Sequence, residues 1–505
     1  MAYSASAWED GNGHRVGVLD IGSNSVRLVV FTGDRRMPFP VFNEKALCGL
    51  GADMPRTGRL SETGRAAAVD IIARFLEVAR EMRLARLDVI ATAAVRDTEN
   101  GPAFAEDLES RFGIRVRMLS GAEEARLSAC GVISAFPGCD GVVGDLGGGS
   151  LELIDVPDGS PRSVATLPLG ALSLGALTRG NRKRLQGRID SHIERLPWLD
   201  CLAGRQLFAV GGGWRSLARL HMVRCRYPLE IIHGYRIEPD RALRFLERVS
   251  DGRGLAAQPG ISRRRIDTIP AAALVLHRLI SLGRVGELVF SAFGLREGCL
   301  YDRLSPEDRR RDPLLSGFSD IVRPFNRFPL EEGVLERWVT DFLPTPVPAR
   351  LVHAICLLGD AAWAEHPSYR GEHAFLKVLR LPLVGLEHGE RVFVALAVLA
   401  RYNGHVDHPR ARTVARLITR EQRELANLIG CVLRFGFSYS GGVARLLSEL
   451  EVIPQSDRIV VRYPGERAVV LGETVARRVT QLSAVLGRPV VMEPRARVHA
   501  REVTA

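Results

Sequence analysis

GVVGDLGGGSLELIDV, residues 141–156, decides how this chain reads. An apolar strand runs into Asp145, three consecutive glycines and Ser150, and then resumes as a strand. A plain hairpin turn needs only one or two residues able to take positive φ. Three glycines let backbone N–H groups crowd around a guest, and an oxyanion such as phosphate is the usual one. Alone, a glycine-rich turn is a weak signal, and a turn without chemistry would explain it equally well.

An internal echo strengthens it. VLDIGSNSVRLVV, residues 18–30, aligns with VGDLGGGSLELID, residues 143–155. Asp20 matches Asp145, Gly22 matches Gly147, Ser25 matches Ser150 and Leu28 matches Leu153, each at an offset of 125 (145 − 20, for example). One strand–turn–strand unit used twice is the simplest account. Each copy offers turn N–H groups, a hydroxyl and a carboxylate. Facing each other across a cleft, the two copies would clamp a phosphate chain, with a divalent cation on the carboxylates offsetting its charge. The copies differ at one position: Glu152 corresponds to Arg27, again at 152 − 27 = 125. Arg27 is either a cleft cation or a surface strand residue. Glu152, just past a glycine turn, is harder to read as solvated surface.

The chain between the two units alternates strand and helix. VFNEKALCGLG continues the first hairpin as a third strand, and LSETGRAAAVDIIARFLEVAREM has the periodicity of an amphipathic helix with Ser61 as N-cap. LDVIATAAV, ending at Arg96, reads as a buried strand. GPAFAEDLESRF is a helix, RVRMLS a short strand and GAEEARLSACGVISAF a third helix. This predicts two similar α/β lobes. At the start of the third helix, Ser120 and Glu123 form a capping box, which accounts for Glu123 fully. Glu124 has no such job. It is either compensation of the helix dipole or an unpaired carboxylate able to act as general base on a water.

Composition sets the outer limits. The 505 residues carry a formal charge of +11, with arginine runs RKR at 182–184, RRR at 263–265 and RRR at 309–311. Such a chain suits an acidic partner, and guanidinium suits bidentate phosphate contacts. Each run taken singly is equally a solvated face. Eight cysteines are scattered without a CxxC pair, which excludes a disulfide framework or a zinc ribbon and points to a cytoplasmic chain. The first fifteen residues, MAYSASAWEDGNGHR, lack the apolar core of a signal peptide, and no apolar run reaches the roughly 20 residues that span a bilayer.

Six ordered motifs, DIGSNSVRLVV, ATAAVRD, SGAEEARL, DLGGGSLEL, VGGGWRS and FSAFGLREGCLYD, resemble the exopolyphosphatase / guanosine pentaphosphate phosphohydrolase family, over residues 14 to about 303. That family belongs to the actin, Hsp70 and sugar-kinase-like superfold. The resemblance implies two RNase H-like α/β lobes at 13–133 and 134–304 with the site between them. It implies an all-helical, degenerate HD-like C-terminal domain at 305–505, with flexible ends at 1–12 and about 495–505. It also implies metal-dependent hydrolysis that releases terminal orthophosphate from inorganic polyphosphate, with magnesium or another divalent cation. Asp20, Ser23 and Asn24 would lie in the first phosphate loop, and Gly147, Gly148, Gly149 and Ser150 in the second. Arg96 would touch a phosphate. Glu124 matches the family's catalytic glutamate, and Asp145 and Glu152 are the expected metal neighbours. A homodimer is expected, with no membrane or nucleic acid as partner.

Two departures stand out. In VGGGWRS a Thr or Ser is common in the family where Gly213 stands, so a hydroxyl for a nucleoside is missing. Trp214 beside it is either a stacking platform for a guanine or, the commoner fate, a core residue. In CLLGDAAWAEHPSYRGEHAF, Gly359 stands where a ligating His would precede Asp360, leaving His366 and His373 as a remnant more in keeping with structure than with a metal site. The rival functions are hydrolysis of guanosine pentaphosphate, a kinase-like ATP-binding protein of the same superfold, and a non-catalytic polyphosphate-binding regulator.

Overall fold

Each of the two glycine turns closes an antiparallel hairpin, and each hairpin starts a sheet. The computed structural model describes residues 15–175, 182–253, 255, 266–322 and 333–495. The arginine run 263–265, the N-terminal tail and nearly all of the C-terminal end lie outside them. The first sheet holds β1 (Val16–Ile21), β2 (Ser25–Thr32), β3 (Phe39–Leu47), β4 (Arg86–Ala91) and β5 (Val116–Met118) in the order β3-β2-β1-β4-β5. The second holds β6 (Gly141–Leu146), β7 (Leu151–Val156), β8 (Val164–Leu167), β9 (Gln206–Val210), β10 (Tyr235–Ile237) and β11 (Glu287–Phe290) in the order β8-β7-β6-β9-β11-β10. The sheets share one topology, with β10 added antiparallel on the edge of the second.

The repeat persists in the register. Asp20 pairs across the strands with Arg27, and Asp145 pairs with Glu152. The offset of 125 is therefore a structural equivalence. In both turns the glycine N–H donates to the serine carbonyl at 3.0 Å, Gly22 to Ser25 and Gly147 to Ser150.

The apolar run ending at Arg96 departs from expectation. It is strand only as far as Ala91, and Ala93–Arg96 forms a single helical turn. That turn redirects the Arg96 side chain toward the start of the Gly121–Ala135 helix, where it meets the Leu119 carbonyl at 2.9 Å.

The Gly121–Ala135 helix joins the lobes. Ala125, Ala129, Val132 and Ile133 pack with Val143, Ile154, Phe208 and Val210 of the second sheet. Leu127 packs instead with Val16, Val18, Val29, Phe31 and Ile90 of the first, together with Cys299 and Leu300. A helix buried on all sides needs small residues, and this one supplies Ala, Gly, Ser and Cys through Ala125–Ala135. The later helix Leu295–Tyr301 lies against it at backbone distance. A Cβ on Gly298 would sit 1.7 Å from the Leu127 carbonyl oxygen, and one on Gly131 would sit 2.1 Å from that of Gly294.

Residues 1–313 and 314–505 form two compact units. The second is built mainly from helices, among them Ala349–Leu358, Arg370–Arg380, His388–Asn403 and Arg420–Ser440. The all-helical expectation for it requires correction. β12 (Glu451–Pro454), β13 (Ile459–Tyr463) and β14 (Val490–Pro494) form a three-stranded sheet at its end, with the helix Glu473–Leu486 between the last two. Asp360 is buried and paired with Arg401 at 3.2 Å, while His373 is bonded to Glu365. His366 accepts from the Ser368 N–H at 3.3 Å, so the remnant of the HD pattern is engaged in hydrogen bonds within the protein. Among the described residues no group of three or more His, Cys, Asp or Glu side chains is arranged to hold a metal ion, and no helix is long and apolar enough to cross a membrane.

Gly298 offers a direct test of the close helix contact. Gly298→Ala should destabilise the first unit by about 1–3 kcal/mol or more in urea unfolding, because backbone rather than a flexible side chain must move. An unchanged midpoint would show that the helices are not in backbone contact.

Candidate active site

The two glycine turns abut. A Cβ on Gly148 would lie 2.4 Å from the Ser23 hydroxyl oxygen, and one on Gly149 would lie 3.9 Å from the Ala93 side chain. Each turn is held from behind by its carbonyls. The Cys48 and Gly49 N–H groups donate to the Asn24 carbonyl, and Gly51 N–H donates to that of Ser23. In the second turn Gly170, Ala171 and Leu172 donate to the carbonyls of Gly149, Gly147 and Gly148. With the carbonyls occupied, the N–H groups of Ser23, Asn24, Gly148 and Gly149 have no acceptor among the described residues. Such unspent donors are what an oxyanion requires.

Acidic groups gather beside this cradle. Asp145, the last residue but one of β6, accepts a hydrogen bond from Ser128, which is fully buried one turn after Glu124 on the same helix. Burial pushes the Asp145 carboxyl up, against the pull of Ser128, Arg215 and Arg296. Glu152, only 1% exposed on β7, is driven well above the ordinary range by burial and then by the charges of Glu124 and Asp145. Ser150 hydrogen-bonds Glu152, but its Oε1 has no partner. Glu124 is pushed up to about 7, first by burial and then by Asp145. Asp145 raises both Glu124 and Glu152, Glu124 raises Glu152, and Glu152 keeps an orphaned oxygen, so their chemistry is that of oxygen donors to a hard divalent cation.

Arginines border the same space. Arg296 is half-buried, and its Nη1 donates to Asp20 Oδ2 at 3.0 Å. Burial disfavours its charge, yet Glu297 and Asp20 hold its pKa above the ordinary value. Arg27 is lowered to about 10 by burial and then by the charges of Arg296 and Arg215. Its backbone pairs with Asp20 and its side chain donates to Asn43 Oδ1 at 2.8 Å. Arg96 spends most of its donors within the protein. It pairs with Asp97, the Leu119 carbonyl and, at 3.2 Å, Glu124 Oε2. Its visible work is to orient Glu124.

Sequence reasoning missed Ser128, Arg215 and Arg296. Ser128 stands four residues after Glu124, a helical spacing that was there to read. Arg215 and Arg296 lay inside quoted motifs, but their meeting with the Asp20 and Asp145 region depends on long-range packing. Trp214 is fully buried, and its indole N–H donates to the Ala272 carbonyl at 3.0 Å, so it is a core residue and not a stacking platform. Gly211 before it has φ +105, and a Cβ there would strike the Leu146 carbonyl oxygen at 2.4 Å.

Adjacent glutamates should behave oppositely in the metal-free protein. Glu123 closes its capping box with Ser120 and also binds Arg117. Glu123→Ala should therefore cost about 1 kcal/mol. For Glu124 the folded pKa of about 7 exceeds the unfolded value of 4.5. The folded state then holds a proton that the unfolded state loses, so stability falls as pH rises between those values. Glu124→Gln should raise the melting temperature at pH 8, with the gain vanishing below pH 5. Thermal scans of both variants across that range check this, and a destabilised Gln variant at pH 8 would contradict it.

The sequence profile of the Ppx/GppA phosphatase family matches residues 29–307, and that of the exopolyphosphatase C-terminal domain matches residues 342–492. Exopolyphosphatase 1 of Mycobacterium leprae is 30% identical over 315 residues, which is 58% of this chain and 90% of that protein. Retrograde regulation protein 2 of Saccharomyces cerevisiae is 26% identical over 443 residues, 77% of this chain and 73% of that protein. Among solved structures, an exopolyphosphatase from Cytophaga hutchinsonii superposes with a TM-score of 0.51 at 23% identity, covering 57% of this chain and 97% of that one. An Aquifex aeolicus Ppx/GppA enzyme gives 0.50 at 24% identity, covering 58% and 100%. These likenesses support the two-lobed fold. With the profile spanning more than half of its length, the chain belongs to the Ppx/GppA phosphatase family.

Proposed function

We propose that this protein is an exopolyphosphatase that removes terminal orthophosphate from inorganic polyphosphate. The observation that carries the reading is the pair of abutting glycine turns with unspent N–H donors, set beside the half-buried Glu124 and Asp145 and the buried Glu152. The mycobacterial relatives named exopolyphosphatase support the substrate class. Trp214, the aromatic that could have received a guanine, is buried, which favours an inorganic chain over guanosine pentaphosphate.

In this reading Ser23, Asn24, Gly148 and Gly149 bind the terminal phosphoryl group through their N–H groups and the Ser23 hydroxyl, while Gly147 and Ser150 close the second turn around it. Asp20 acts through Arg296, which it holds by an ion pair toward the phosphate oxygens. Asp145 and Glu152 would hold magnesium, which when bound would neutralise phosphate charge and polarise the phosphorus. Glu124, oriented by Arg96, accepts a proton from the attacking water. The water displaces the shortened chain in line, while the arginines and turn N–H groups stabilise charge on the equatorial oxygens. The free state of all eight cysteines supports the cytoplasm as compartment, and a homodimer belongs to the same proposal.

Purified protein should release orthophosphate from long polyphosphate with magnesium faster than from guanosine pentaphosphate or ATP. Preference for either nucleotide, or transfer of the phosphoryl group to an acceptor, would overturn the assignment. Glu124→Gln should lower turnover by about 10²–10⁴-fold, the usual range for a lost acid–base group. Glu123→Ala should keep it.

Asp145→Asn and Glu152→Gln should each raise the magnesium concentration needed for half-maximal rate more than they raise KM at saturating metal. Unchanged magnesium titrations in both would remove these residues as its ligands.

A further inference from the structure

A second concentration of positive charge lies outside the cleft, in the second lobe. A cavity of about 330 Å³ is lined by His221, Arg224, Cys225, Arg241, Arg244, Phe245 and Arg248. Arg224 closes the helix Gly212–Arg224. Arg241, Arg244 and Arg248 come from the helix Pro239–Ser250, at spacings of three and four that place them on one face. The first of these helices starts at the Gly211 turn beside β6 and runs for 13 residues. At 1.5 Å per residue its far end is about 20 Å from that turn, so the cavity is separate from the catalytic loops.

Among the described residues none of the four arginines forms an ion pair with a carboxylate. In the same lobe Arg205, Arg236, Arg278 and Arg284 each do, with Asp140, Glu287, Asp190 and Asp200. Asp240 and Glu247 adjoin Arg241 and Arg248 in the chain without forming an ion pair with them, and Glu238, whose carboxylate feels the charges of Arg244 and Arg241, is occupied as an N-cap by the N–H groups of Asp240 and Arg241. The floor offers no counter-charge either. His221 stacks edge-on against Phe245 at 4.8 Å and shares a hydrogen bond with the Tyr235 hydroxyl at 2.6 Å. Its imidazole is pushed down to about 4, by burial and then by the charges of Arg241 and Arg224. The positive potential is thus felt inside the protein as well as at the rim.

Four guanidinium groups around one concavity repel one another unless an anion sits between them. The volume is at the small end of the roughly 300–1,000 Å³ typical of ligand pockets. It suits a compact group, and guanidinium forks match phosphate oxygens bidentately. We propose that this pocket is a second anion site, distinct from the catalytic cleft, that takes a short run of linked phosphoryl groups. Two sources share that chemistry: a segment of the substrate chain remote from the cut end, and a free phosphorylated small molecule.

The test is direct titration, independent of turnover. Tripolyphosphate is titrated calorimetrically into the full-length Glu124→Gln protein with magnesium present, and into the same protein carrying Arg244→Ala and Arg248→Ala. Both arginines are exposed, so folding should survive, and melting curves verify this. Two binding events are expected in the first protein, with one of them weakened at least about tenfold in the second. Arg244→Lys with Arg248→Lys should restore part of it. A single event in both proteins, or two events that the alanines leave unchanged, would overturn the proposal. Kinetics with Glu124 intact then separate the sources. For a substrate segment, the alanine pair raises KM for long polyphosphate and spares kcat. For a free effector, KM is unchanged and the part of the rate response to added tripolyphosphate that exceeds simple competition at the cleft disappears.

Discussion

Burial of like charge is the constraint on which this structure depends. Glu124, Asp145 and Glu152 come from a helix and two strands, and each is raised by its neighbours as well as by burial. A protein does not hold such a group without compensation. Ser128 supplies part of it by bonding Asp145, Arg96 supplies part by bonding Glu124, and Arg296 stands close through Asp20. Glu152 keeps one oxygen without any partner. The arrangement is costly in its own right, and in the proposed function a cation and phosphate would complete it.

The helix Gly121–Ala135 makes that arrangement possible. It carries Glu124 and Ser128 on successive turns while packing its small residues into the cores of both lobes. Its closeness to the Leu295–Tyr301 helix rests on Gly131 and Gly298, and the second of these lies two residues after Arg296. Core packing and catalytic geometry are therefore the same constraint at this point. Any residue that widens the helix pair would also move Arg296 away from Asp20.

How much of this was readable from sequence depended on the range of the interaction. The repeat at offset 125 translated directly into the Asp20–Arg27 and Asp145–Glu152 pairings, because a tight turn fixes hairpin register. The capping box at Ser120 was equally local. The turn at Ala93–Arg96 was hidden by an apolar run that suits a strand as well as a buried helix. Arg215 and Arg296 reach the site only through lobe packing. The cavity arginines 224, 241, 244 and 248 escaped notice because a search for consecutive charges overlooks a helical period. In the C-terminal unit, helical periodicity was extended too far. RIVVRY and RPVVMEP are β-branched runs, and they form β13 and β14.

The central claim is that water, directed by Glu124, attacks the terminal phosphorus held between the two glycine turns. Hydrolysis of tripolyphosphate in ¹⁸O-labelled water tests it most directly. The account predicts one ¹⁸O atom in each orthophosphate released and none in the pyrophosphate left behind. Label in the pyrophosphate would place the attack on an internal phosphorus and contradict the account.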